Sequence, residues 1–200
     1  MRLINRILDI CFPKRESYLR VTDLTEGKIL SKYSPHVHKK LGALCYFQDP
    51  DVKACIHEVK FFENHQAATH LATLLNTYIG TKQSTIIIPI PLSIQRQKKR
   101  GYNQVELIAQ AASKNNSHQL ESQWLIRTRH TVPQTDLKKA ERKKNLKEAF
   151  AVPRKYRTSI AGKNIIVLDD VLTTGATLSE AIKEIKKHHP ASVTSLAIAH

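Results

Sequence analysis

Residues 165–178 read Ile-Ile-Val-Leu-Asp-Asp-Val-Leu-Thr-Thr-Gly-Ala-Thr-Leu, and no other stretch constrains the chain as strongly. Ile165, Ile166, Val167 and Leu168 form a continuous apolar run, the pattern of a strand buried on both faces of a parallel sheet. Asp169 and Asp170 end that run, and Leu178, Ile182 and Ile185 then keep helical spacing. Thr177 with Glu180 fits a capping box. The pattern predicts a strand, an acidic turn and a helix, with the acids at the carboxyl end of the strand, where open α/β sheets place their ligands.

The loop Thr173–Thr177 leads into a helix amino terminus, which offers backbone N–H groups, the positive end of the helix dipole and three hydroxyls. Gly175 removes a Cβ that would hold a phosphate off the backbone. A carboxylate pair beside such a cradle repels a bare polyphosphate, so the ligand has to present hydroxyls or a hydrated divalent cation to the acids. A sugar phosphate meets both demands. The competing reading is an ordinary strand–helix unit whose acids only cap a helix.

These residues resemble the phosphoribosyl pyrophosphate (PRPP) signature of type I phosphoribosyltransferases. The resemblance implies that Asp169 and Asp170 hold the ribose hydroxyls, while Thr173, Thr174, Gly175, Ala176 and Thr177 wrap the 5-phosphate. Further segments narrow the match: Pro89-Ile90-Pro91-Leu92, Arg100-Gly101-Tyr102-Asn103-Gln104, and the series Arg127, Thr131, Gln134, Glu141-Arg142, Asn145, Ala149-Phe150. Their order and spacing are similar to those of the competence-associated ComF family of phosphoribosyltransferase-like proteins, over about residues 42–200. By that resemblance Lys60, Pro91, Leu92, Arg96 and Arg100 are candidates for the pyrophosphate side. Gln134 and Arg142 are candidates for a lid at about 127–148 that closes over PRPP. For Lys60, complementing a helix carboxyl end is an equal alternative; for each basic residue of the 92–101 segment, a solvated charge is the alternative.

Two hundred residues, 41% hydrophobic and 24% charged, describe a globular chain of one domain with an extension. No apolar run approaches a membrane span. Leu3, Ile4, Ile7 and Leu8 are interrupted by charged and polar residues, so Met1–Phe12 reads as a short amphipathic helix rather than a signal peptide. Docking on the protein's own core is its ordinary explanation; a membrane or partner contact is the sharper one. Cys11, Cys45 and Cys55 are too few and scattered for a disulfide framework, in keeping with a cytoplasmic location. Many ComF-like proteins begin with a four-cysteine zinc finger, and this chain lacks those cysteines, so no zinc is expected. The acid pair implies no directly bound metal either; Mg²⁺ is expected to arrive with PRPP. The net charge is +15, and residues 94–157 carry 16 Lys or Arg against 5 Asp or Glu, an excess of +11. Such a concentration attracts a polyanionic small molecule or a nucleic-acid backbone, or keeps a surface soluble.

In chain order, residues 16–40 show no sustained periodicity and read as irregular. Leu41–Phe47 reads as a strand, and Asp49-Pro50 as the start of a helix whose buried face is Val52, Cys55, Ile56 and Val59. Leu71, Leu74, Leu75 and Tyr78 mark the stripe of the next helix, about 66–79, closed by Gly80. Ser84–Ile90 is a strand, Leu92–Gly101 a basic loop, and Tyr102–Ser113 a helix. Leu120–Ile126, with Trp124, is a strand reaching toward the lid; Phe150–Val152 returns the chain to the sheet. Gly162 turns into the signature strand and Val193–Ala199 is the last strand. The expected architecture is a doubly wound, mostly parallel twisted α/β sheet of the type I phosphoribosyltransferase kind with an amino-terminal helical or irregular extension over 1–41. The expected function is PRPP binding with phosphoribosyl transfer to an acceptor, linked through the family to natural competence and DNA uptake. The alternative is a non-catalytic module that handles single-stranded DNA or docks DNA-uptake or recombination proteins.

Overall fold

A computed structural model of the chain describes residues 15–38, 41–80, 84–114, 118–128 and 149–200. The helix expected at Met1–Phe12, Cys11, and the lid residues 129–148 with Gln134 and Arg142 lie outside the described residues.

The segment read as irregular contains helices α1 (Glu16–Thr22) and α2 (Glu26–Leu30) and strand β1 (His36–His38). Each helix is too short for periodicity to register, yet Val21, Leu24 and Ile29 bury their side chains in the main core. Strand β2 (Leu41–Cys45) follows, then α3 (Pro50–Phe62), which starts as its cap chemistry predicts: the Asp49 carboxylate accepts from the Asp51 and Val52 N–H groups, with Pro50 at the first helical position. Helix α4 (His65–Ile79) buries Leu71, Leu74 and Leu75 completely, each worth roughly 1.5–3 kcal/mol of apolar transfer. It ends at Gly80, whose φ of +66° suits glycine.

Strand β3 (Ile86–Pro89) is followed by α5 (Ile94–Arg100) and α6 (Gln104–Ser113). The segment expected to be a basic loop is thus a helix. Ser93 caps it by accepting from the Arg96 N–H, and Gly101 closes it at φ +80°. It buries no residue, which is why no apolar stripe announced it. The strand expected over Leu120–Ile126 is instead two short ones, β4 (Gln119–Leu120) and β5 (Ile126–Arg127), with Trp124 buried between them. Strand β6 (Phe150–Ala151) pairs antiparallel with β5 in a separate two-stranded sheet, so the chain returns to this flap rather than to the main sheet. A 3₁₀ turn (Arg154–Tyr156), α7 (Arg157–Ile160), β7 (Asn164–Val171), α8 (Ala176–Lys186) and β8 (Ser192–Ala199) complete the described chain.

Among the described residues the main sheet has the order β1-β2-β8-β7-β3-β4, parallel throughout except for the β1–β2 pair. The signature strand β7 is central, with Pro89 opposite Leu168 on one side and Leu196 opposite Leu168 on the other. Alternate residues face opposite layers. Ile87, Ile166, Leu168 and Ile198 pack with α3, α4 and α6, whereas Ile86, Ile88, Ile165 and Val167 pack with Leu178 and Ile185 of α8, Trp124, Phe150 and Ile160. Helices on both faces of a parallel sheet make this a doubly wound α/β fold, and the carboxyl ends of β7 and β3 lie side by side.

Candidate functional site

Strand β7 delivers the acid pair, and local hydrogen bonds fix both carboxylates. Asp169 Oδ1 accepts from the Asp170 N–H at 2.9 Å, and Asp170 Oδ1 accepts from the Val171 N–H at 2.8 Å. Burial, reinforced by the neighbouring Asp170 charge, pushes Asp169 well above the usual carboxylate range; the Asp170 N–H and Lys60 oppose that shift.

The turn after the acids brings Asp169, Thr173, Thr174, Gly175 and Thr177 around one small pocket. Gly175 has φ +74°, and a Cβ there would collide with Leu41 Cδ1, so both backbone and space demand glycine. Gly175 is itself the N-cap of α8 and supplies no side-chain cap. This corrects the capping box: Thr177 lies in the first turn, and the Glu180 carboxylate accepts from Lys183 instead. An amino terminus of this kind, lined with threonine hydroxyls, has donor chemistry that suits an anion.

The pyrophosphate-side candidates come from α3, the segment after β3, and α5. The Ile90 N–H donates to the Leu168 carbonyl at 2.8 Å, which carries Pro91 and Leu92 alongside the acid pair. Lys60 on α3 is electrostatically coupled to Asp169, and Arg100 on α5 to Asp170. Burial lowers the pKa of Arg100, and Asp170 opposes this. Burial lowers the pKa of Arg127 of β5, the nearby Arg96 charge lowers it further, and Asp169 opposes both. Basic groups from three elements therefore face two acids.

Three contributors were not singled out as site residues from the sequence. Gln104, at the start of α6, donates from Nε2 to Asp170 Oδ2 at 2.9 Å and accepts from Arg100 Nη1 at 2.8 Å. Tyr102 Oη donates to the Val59 carbonyl, joining the end of α3 to the α5–α6 turn. The Phe61 ring centre lies 5.6 Å from the Lys60 ammonium and 5.5 Å from the Arg100 guanidinium. The Arg100–Gly101–Tyr102–Asn103–Gln104 run was the available signal for the first two; Phe61 had none, because its neighbours come from tertiary packing.

Among the described residues no group of three or more His, Cys, Asp or Glu is placed to hold a metal ion, and no helix is long and apolar enough to cross a membrane. Cys45 and Cys55 are buried thiols, pushed up to about 12 by that burial.

A central strand ending in an acid pair and a threonine-glycine turn, on a doubly wound sheet, defines a phosphoribosyltransferase fold. The model of the phosphoribosyl transferase domain family matches residues 66–200, and the chain belongs to that family. Within it the ComF resemblance is borne out by the relatives. The chain is 32% identical over 151 residues to DNA utilization protein YhgH of Shigella flexneri, covering 72% of this chain and 65% of that protein. It is 37% identical over 101 residues to Competence protein F of Haemophilus influenzae, covering 50% and 44% of the two chains. It is also 37% identical over 114 residues to Competence protein ComFC of Bacillus subtilis, covering 56% and 43%. The chain thus spans less than two thirds of the length of these curated relatives.

Proposed function

We propose that this protein binds PRPP together with Mg²⁺ at the carboxyl ends of β7 and β3 and transfers its phosphoribosyl group. The observation that carries this reading is that Asp169 lines one small pocket with the Thr173–Thr177 turn, while Lys60 acts electrostatically on Asp169 and Asp170 on Arg100. A ligand with hydroxyls in its middle and phosphates at both ends matches that order. The Thr173–Thr177 turn takes the 5-phosphate, the acids take the ribose hydroxyls, and the cations take the pyrophosphate. The acid pair is an all-oxygen donor set suited to hydrated Mg²⁺, which travels with the substrate and neutralises charge on the departing pyrophosphate. In the reaction the bond from C1 to the pyrophosphate oxygen breaks and a bond from C1 to the acceptor's nucleophile forms. The protein's share is to fix both anionic ends and orient the hydroxyls.

A second reading, single-stranded nucleic-acid handling, is favoured by a specific surface. Phe61, Phe62 and His57 are exposed on α3 and are interleaved with Arg15, whose guanidinium lies 3.4 Å from the Phe62 ring centre, and with Lys60 and Arg100. Rings alternating with cations are the composition of a base-stacking surface. The names of the relatives, a DNA utilization protein and two competence proteins, support the same direction.

A thermal-shift screen of PRPP with and without Mg²⁺, free nucleotides and single-stranded oligonucleotides separates the two readings. PRPP binding predicts a Mg²⁺-dependent rise in melting temperature that Thr174→Val reduces and Phe62→Ala leaves largely intact. Stabilisation by oligonucleotides alone would favour the second reading over the first.

A further inference from the structure

Gln104 joins the two halves of the site. Only 5% of its surface is exposed, and both ends of its amide are engaged, one by each half. Nε2 donates to Asp170 Oδ2 at 2.9 Å, and Oε1 accepts from Arg100 Nη1 at 2.8 Å. These contacts set the amide orientation, since a guanidinium only donates and the carboxylate oxygen takes the donor. The other Asp170 oxygen accepts the Val171 N–H at 2.8 Å, so the carboxyl is held on two sides. Gln104 itself is held at the first turn of α6, where the Asn103 side chain caps the helix at the Val105 N–H and donates from Nδ2 to the Ile90 carbonyl at 3.0 Å. The helix start is thereby tied to the end of β3.

We propose that Gln104 is the positioning residue that registers the ribose-side acid against the pyrophosphate-side cation, so that a ligand spanning both is favoured over its separate halves. The proposal rests on the PRPP reading and adds a residue role to it. A buried amide is well suited to this duty: it carries no charge of its own, and it is a donor at one end and an acceptor at the other. Leucine or methionine fills the space without either contact. Glutamate keeps an acceptor for Arg100 and places a second carboxylate against Asp170.

A double-mutant cycle tests this on the full chain, with PRPP affinity in Mg²⁺ measured by calorimetry. Arg100→Ala and Asp170→Asn are made singly and together, first with Gln104 present and then with Gln104→Leu. With Gln104 the two losses should be non-additive by about fivefold or more, and in the leucine background that coupling should shrink to what the direct attraction between Arg100 and Asp170 leaves. Ribose 5-phosphate and Mg²⁺-pyrophosphate, offered separately, should lose less affinity than PRPP on Gln104→Leu. Where leucine lowers the melting temperature, Gln104→Met supplies the same cycle. Wild-type PRPP binding with the same coupling in both backgrounds, or none in either, overturns the role of Gln104 while leaving the PRPP site standing. Absence of wild-type PRPP binding overturns both.

Discussion

The Tyr102 hydroxyl donates to the Val59 carbonyl at 2.9 Å and accepts from the Glu63 N–H at 2.9 Å, so one side chain holds the left-handed end of α3 against the α5–α6 turn. Lys60 lies one residue beyond Val59, and Arg100 two residues before Tyr102. Tyr102→Phe should therefore cost about 1 kcal/mol of stability and also weaken Mg²⁺-pyrophosphate binding, because both cations lose their common anchor. Chemical denaturation and calorimetry check the two effects; unchanged pyrophosphate affinity would detach Tyr102 from the site.

Asp169 provides a trade between stability and binding. Its folded pKa is raised by burial and by Asp170, so the folded state holds the proton more tightly, and stability falls as pH rises from the unfolded value near 3.8 through the folded one. Asp169→Asn keeps the shape and the acceptor for the Asp170 N–H but removes the cost of ionisation. It should melt higher than wild type at pH 8, with the gain shrinking toward acid, while PRPP affinity falls. A lower melting temperature at pH 8 with intact secondary structure would contradict the burial argument.

Acid should lower the stability of the protein in two stages. Burial lowers the pKa of His118, and His70 moves the same way, so below about pH 6.5 the unfolded chain takes up protons that the folded state resists, and stability declines. Glu58 follows at lower pH. Burial pushes it up, but hydrogen bonds from Arg15, Ser17 and Asn64 outweigh this, so its contribution is present above about pH 4.5 and lost as pH falls through the depressed folded value. His118→Gln should flatten the first stage and Glu58→Gln the second, the latter costing about 1–2 kcal/mol at neutral pH, since Arg15 is half exposed. Melting temperatures followed from pH 8 to 3 give the test.

Gly175→Ala should destabilise the fold. It strains a φ of +74° and drives the new Cβ into Leu41. A cost of about 1–3 kcal/mol follows from the backbone alone, and the 5-phosphate cradle should be lost with it. Ribose 5-phosphate binding by the folded variant checks this; wild-type affinity would count against the cradle.

What the sequence disclosed was local. The apolar run into Asp169, the Asp49-Pro50 helix start and the Gly80 helix end each depend on neighbours along the chain, and each lies where the pattern placed it. What it concealed was tertiary or lacked an apolar face. Helix α5 buries nothing, so only Ser93 and Gly101, its caps, marked it. The Thr177–Glu180 pair satisfied a capping pattern, but the helix N-cap lies two residues earlier, at Gly175. The Asp170 contact with Gln104 spans 66 residues, a separation that no periodicity reports.

The most direct measurement is calorimetric titration of the wild-type chain with PRPP, with and without Mg²⁺, beside the Asp169→Asn/Asp170→Asn and Thr174→Val variants. The account predicts Mg²⁺-dependent binding of one PRPP per chain. Affinity should fall about tenfold or more in each variant, as the loss of charged-group hydrogen bonds implies. PRPP binding that is absent in the wild type, or equally tight in these folded variants, would contradict it.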